Sequence, residues 1–129
     1  MTNSKRIAFY LRSATGNLAD LKRQLNTLNK AMLRRGFDPD AYLIEVYRDA
    51  HHSGLRPGLE LERMSRDVKD GKINVIMVSR MNRISRATNG LFNFLKFVET
   101  HRIRFISANE NCDSIYWHSM RTHASDGAL

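Results

Sequence analysis

The chain is 129 residues long, enough for one domain with a single core and too short for two. Lys and Arg outnumber Asp and Glu by 21 to 13, giving a formal charge of +8 and a pI near 10.2, which favours polyanionic partners such as DNA, RNA or an anionic membrane surface. No apolar run approaches the roughly 18 residues of a membrane span, and the opening Met-Thr-Asn-Ser-Lys-Arg has no secretory hydrophobic region, so a soluble, cytoplasmic protein without membrane partners is expected.

Ile7 to Leu11 is a short apolar strand, ending in the small polar turn Arg12-Ser13-Ala14-Thr15-Gly16-Asn17. Asn17 or Thr15 suits the N-cap of the next element. There Leu18, Leu21, Leu25, Leu28 and Met32 recur at three- and four-residue steps, one apolar stripe on a helix that stops near Gly36. After the turn Asp38-Pro39-Asp40, Tyr42 to Tyr47 reads as a second strand from its β-branched and aromatic content. The polar loop Arg48 to Leu55 carries His51 and His52, and Pro57 suits the first turn of another helix, with Leu59, Leu61, Met64 and Val68 on its buried side and Asp70-Gly71 as its stop.

Val75-Ile76-Met77-Val78 is an unbroken apolar run, read as a buried strand, and it empties into three arginines within seven residues, Arg80, Arg83 and Arg86. Arg83 and Arg86 stand three apart where a helix is expected from about Ser85 to Thr100, so both guanidinium groups can face one way. Cations at a helix N-terminus oppose its dipole unless an anion joins them, and a phosphate is the expected anion. Leu91, Phe94, Leu95 and Val98 form that helix's core face. Phe92 and Phe97 fall off it, as surface for a partner or as packing for a helix held between layers. Arg104 to Ala108 is the last strand and Asn109 to Ser114 its exit loop. The single cysteine there, Cys112, excludes an intramolecular disulfide; with no metal-ligand spacing of Cys or His, neither a metal nor another cofactor is expected, and a reducing cytosol is.

Strands alternating with helices predict a three-layer α/β domain: a mainly parallel sheet of four or five strands with helices on both faces. Residues 1–113 are expected to form it, and 114–129 a loosely ordered tail with a short helical turn near Trp117. In such sheets sites form at the rim of strand C-termini. That rim would gather Arg12 and Ser13, then Asp49, Ser53 and Arg56, then Asn82, Arg83 and Arg86.

With these residues on one rim, the chain resembles the N-terminal catalytic domain of the resolvase/invertase family of serine recombinases, over about residues 6–113. Tyr10-x-Arg12 and the hydroxyls after it are similar to the family's Tyr-x-Arg-Val-Ser-Thr opening, and Gln24 to its helix glutamine. Asp49-Ala-His-His-Ser53-Gly54 is similar to Asp-x-x-x-Ser-Gly, and Arg56-Pro57-Gly58-Leu59 to Arg-Pro-Gly-Leu. Arg80-Met-Asn82-Arg83-Ile-Ser-Arg86 is similar to Lys-Leu-Asp-Arg-Leu-Ser-Arg.

The resemblance implies site-specific DNA recombination: a serine oxygen attacks a DNA phosphodiester, giving a 5′-phosphoserine and a free 3′-hydroxyl, with no metal and no nucleotide consumed. It implies Arg12, Arg83 and Arg86 as the phosphate clamp, with Tyr10, Thr15, Gln24, Asp49, Ser53, Arg56, Arg80 and Asn82 in phosphate-binding or supporting places. It also implies a homo-oligomer, dimer or tetramer, on DNA. Counting from Arg12, the family's nucleophile position holds Ala14, with Ser13 and Thr15 on either side; counting back from Gln24 selects Thr15. Ser13 is the favoured nucleophile, because the Thr15 oxygen is sterically hindered. Asn82 stands where the family usually carries aspartate, and an amide cannot act as a general acid. These 129 residues do not include the long oligomerisation helix and helix-turn-helix domain usual in the family. The other reading is a catalytically impaired relative that keeps the basic rim as a DNA-binding or oligomerisation module.

Overall fold

The computed structural model describes residues 5–116. The β-branched and aromatic runs form β1 (Lys5–Ser13), β2 (Tyr42–Ala50), β3 (Val75–Val78) and β4 (Arg104–Ser107), and the periodic segments between them form α1 (Leu18–Arg34), α2 (Leu59–Lys69) and α3 (Thr88–Thr100). These four strands pair in parallel, and a two-residue β5 (Cys112–Asp113) returns antiparallel to β4. The strand order is β2-β1-β3-β4-β5. The expected α/β fold is present, and β5 lies inside what reads from sequence as a plain exit loop.

Each face of the sheet has its own core. Ile7, Phe9, Leu11, Val75, Met77 and Ile106 pack under Leu21, Leu28, Ala31 and Met32 of α1. Ala8, Tyr10, Tyr47, Ile76, Val78 and Phe105 pack under Leu61, Met64 and Val68 of α2 and Phe94 and Val98 of α3. Alternation along β1 therefore sends odd residues to α1 and even residues to α2 and α3. Each such fully buried side chain contributes roughly 1.5–3 kcal/mol.

Several sequence expectations are corrected. Leu18 and Leu59 are 73% and 81% exposed: each is the first residue of its helix and overhangs the rim before the apolar stripe reaches the sheet. Pro57 lies outside α2, which begins after Gly58. The helix expected from Ser85 begins at Thr88, preceded by a 3-10 turn at Met81–Arg83. The backbone N–H groups of Arg86 and Ala87 are committed elsewhere, to the Gly54 carbonyl at 2.9 Å and to Ser85 Oγ at 3.0 Å, so the helical ladder starts after them. Arg83 and Arg86 thus precede the helix and do not share a face of it.

Phe97 packs against the α2/α3 core while Phe92 is 60% exposed. Ser114, read as the start of the tail, is buried, and its Oγ accepts from Phe105 N at 2.7 Å. The helical turn expected near Trp117 lies outside the described residues. No helix among the described residues is long and apolar enough to cross a membrane.

Candidate active site at the sheet rim

Strand order reverses at β1, which has β2 on one side and β3 on the other. In open α/β sheets the crevice outside the strand C-termini at such a reversal is where ligands bind. Pairing between β1 and β3 covers only Ile7, Ala8 and Phe9, whereas β1 continues against β2 as far as Arg12 opposite Asp49 and Ser13 opposite Ala50. The end of β1 therefore projects past β3. Gln24 of α1 stands in for the missing strand: its Oε1 accepts from Arg12 N at 3.2 Å and its Nε2 donates to Arg12 O at 2.9 Å. Both groups on a buried backbone unit are satisfied by one side chain.

Arg12 is 3% exposed, and its side chain crosses to the other rim loops. Nε donates to Arg83 O at 3.0 Å, Nη1 to His52 O at 3.1 Å and Nη2 to Asn82 O at 2.5 Å. One guanidinium thereby staples the loops after β2 and β3 to the end of β1. Gly54 lies directly on it, at φ +87°, and a Cβ there would stand 2.5 Å from Arg12 Cζ. Burial lowers the Arg12 pKa, and the nearby charges of Arg83 and Arg86 lower it further while Tyr10 and Asp49 pull the other way. Arg83 thus touches Arg12 directly, and Arg86 is tied by its backbone N–H to Gly54, on which the Arg12 guanidinium lies.

Tyr10 and Asp49 lie behind this staple. Asp49 accepts from Tyr10 Oη at 2.6 Å, Glu60 N at 2.9 Å and Leu61 N at 3.1 Å. It caps α2 from a distance, in place of the side chain that Gly58 at the N-cap lacks, and a Cβ on Gly58 would collide with its carboxylate. Burial, then Asp49, push the Tyr10 phenol well above its ordinary range. Both side chains are spent on bonds within the fold.

The remaining residues line the crevice or its margin. Arg83 Nη1 donates to Arg12 O at 3.4 Å, and Nη2 lies 3.9 Å from Asp20 Oδ1. Its Nε is buried with no hydrogen-bond partner among the described residues. Arg86, Arg80 and Asn82 are exposed, and Asn82 contributes its carbonyl to Arg12. Ser13 is 3% exposed; its Oγ accepts from Asn17 N at 3.2 Å, which places the hydroxyl at the start of α1, on the opposite face of β1 from the Arg12 side chain. Ala14 and Thr15 are exposed.

At the margin, Ser53 and Arg56 are exposed; Ser53 Oγ accepts from Leu55 N at 3.3 Å, and the Arg56 carbonyl meets His52 Nε2. The His51 ring rests on Gly16. Among the described residues, no group of three or more His, Cys, Asp or Glu side chains is placed to hold a metal ion.

The family model "Resolvase, N terminal domain" matches residues 7–124. The chain belongs to the resolvase family. Among curated protein sequences none matches it, and the likeness to solved structures is one of fold. The N-terminal catalytic domain of TP901-1 integrase superposes with a TM-score of 0.75 at 22% identity, over 97% of this chain and 100% of that one. A resolvase family site-specific recombinase from Streptococcus pneumoniae superposes at 0.69 and 19% identity, over 97% and 96%. The C-terminal catalytic domain of ISC1926 TnpA, an IS607-like serine recombinase, superposes at 0.68 and 23% identity, over 79% and 68%.

Within this resolvase domain, two rim residues escape a reading of the sequence. Asp20 is one. Glu110 is the other: its carboxylate accepts from Met81 N at 2.7 Å and Ser107 Oγ at 2.6 Å, fastening the 3-10 turn to the loop after β4. Asp20 follows its N-cap by three residues, which is ordinary helix-start chemistry, and Glu110 acts across 29 positions. Neither carries a local signal of its contact.

Proposed function

We propose that this resolvase domain performs serine-type DNA strand cleavage and rejoining, with the crevice beyond β1 and β3 as its phosphate site. The observation that carries the reading is Arg83: a guanidinium at the crevice with one long hydrogen bond and a buried Nε that no group among the described residues accepts. A buried donor left unpaired costs roughly 1–3 kcal/mol, and a phosphate oxygen is the acceptor that fits an arginine fork. Arg83 and the exposed Arg86 grip the phosphate; Arg12, whose donors hold carbonyls, keeps the loops bearing them in register. Tyr10, Gln24, Asp49 and Gly54 support that staple.

In the chemical step the Ser13 oxygen bonds to phosphorus and the bond to the 3′ oxygen breaks. The hydroxyl gives up its proton and the departing oxygen takes one up, leaving a 5′-phosphoserine. Negative charge on the nonbridging oxygens is matched by the guanidinium groups, which needs no metal. Rejoining is the reverse attack by a 3′-hydroxyl. The domain works as a homo-oligomer, dimer or tetramer, on DNA. A groove of about 720 Å³ between α2 and α3, lined by Leu55, Leu61, Ile84, Phe94 and Phe97, supports association through that side, and Phe92 is exposed elsewhere on α3.

A second reading has its own support: Ser13 is buried and its oxygen is held by Asn17 N, while Ala14 offers no nucleophile. On that reading the rim binds DNA without cutting it. Covalent trapping on suicide DNA substrates, with mass spectrometry of the adduct, separates the two. Cleavage predicts a DNA adduct on Ser13 that Ser13→Ala abolishes and Thr15→Ala does not. An adduct on Thr15 moves the nucleophile; no adduct, with DNA binding intact, favours the binding module.

A further inference from the structure

Arg83 has an internal competitor. Asp20 sits in the first turn of α1, with Oδ2 accepting from Gln24 Nε2 at 3.0 Å and Oδ1 lying 3.6 Å from Arg23 Nη2 and 3.9 Å from Arg83 Nη2. Asp20 and Arg83 side chains are 24% and 25% exposed, so the pair is partly open to solvent. The same guanidinium that lacks an acceptor for Nε among the described residues has a carboxylate beside its Nη2. That carboxylate repels any second anion brought to the fork, and it draws the fork toward α1.

We propose that Asp20 is a positioning residue that holds Arg83 in the free protein and must yield it before Arg83 closes on a phosphate, so that Asp20 sets the threshold for DNA binding at the rim. The inference rests on Arg83 being a phosphate ligand. Gln24 links the two functions of the region, since one amide both completes the Arg12 backbone and anchors Asp20. The carboxylate is therefore fixed in place while the arginine is the partner that moves.

Asp20→Asn removes the charge and keeps an oxygen for Gln24. Binding of the full chain to a short fluorescein-labelled duplex at fixed low salt is read by anisotropy. Asp70→Asn, at the C-terminal end of α2 and hence the opposite rim, supplies the same change in net charge. Asp20→Asn is expected to tighten binding about two- to fivefold beyond Asp70→Asn, the range of a partly exposed ion pair. In an Arg83→Ala background that gain is expected to vanish.

A gain no larger than that of Asp70→Asn overturns the proposal, as does a gain that survives in Arg83→Ala. Asp20→Ser, which removes the charge with a shorter side chain, is the second variant, subject to the same comparisons if Asp20→Asn fails to fold. If Arg83→Ala binds DNA as well as the parent, both this inference and the phosphate clamp fall. If Arg83→Ala weakens binding while Asp20→Asn adds nothing, only this inference falls.

Discussion

Arg12 shows how one buried side chain can hold a rim together. Its three hydrogen bonds end on carbonyls of residues 52, 82 and 83, so the fork expected from sequence to be a phosphate clamp joins the rim loops in this structure. The close approach depends on Gly54, where a Cβ would strike the guanidinium and where φ is +87°. Gly54→Ala is expected to cost about 2–4 kcal/mol, combining left-handed backbone strain with overpacking of a buried charge. Urea unfolding measures it, and a cost below that of an ordinary surface substitution would mean that the staple tolerates being pushed aside. Tyr10 and Asp49 support from beneath, since Asp49 fixes the start of α2 and thereby the loop on which Gly54 rides.

Among the elements, the short antiparallel β5 depends most on a single side chain. Asp113 is buried and takes Arg104 through both oxygens, at 3.0 and 2.7 Å, and Arg35 at the end of α1 at 3.1 Å. Burial by itself would raise the Asp113 carboxyl, but the hydrogen bonds from Arg104 and Ile115 N and the charges of Arg104 and Arg35 hold it below its ordinary value of 3.8. A depressed folded pKa contributes stability that is present in full above the unfolded pKa and is lost as pH falls through the folded one. The window opens near the ordinary value of 3.8 and extends below it. Asp113→Asn is therefore expected to lower Tm at neutral pH and to flatten its fall as pH drops below the ordinary value of 3.8. Thermal melts across that range test this; parallel acid limbs for parent and variant would mean that Asp113 is not coupled to folding.

The elements also mark where a sequence is legible and where it is not. The strands from Ile7, Val75 and Arg104 announce themselves as short apolar runs, as buried parallel strands do, and the edge strand from Tyr42 through its β-branched and aromatic content. β5 does not, since two residues leave no period and Asp113 is held by Arg104 on the neighbouring strand and by Arg35, 78 residues earlier. The start of α3 is misplaced for a related reason: the Arg86 N–H is taken by Gly54, a partner 32 residues earlier, and no local pattern reports it. Among site residues, the convergence of Arg12, Arg83 and Arg86 follows from parallel topology alone. The division of labour between them does not, because it depends on which carbonyls the forks reach.

For the molecule as a whole, the sheet brings separate turns to one rim, and a charge of +8 attracts polyanions at long range, whatever the local contacts. Net charge weakens binding uniformly when reduced anywhere, whereas a true phosphate contact also changes how many counterions leave the DNA. The central claim, that Arg83 and Arg86 hold a backbone phosphate, is tested most directly by the slope of log binding constant against log salt for a duplex. Arg83→Ala and Arg86→Ala are each expected to reduce that slope by about 0.9, while Lys30→Ala, near the far end of α1, leaves it unchanged. Slopes for both arginine variants equal to that of Lys30→Ala would contradict the account.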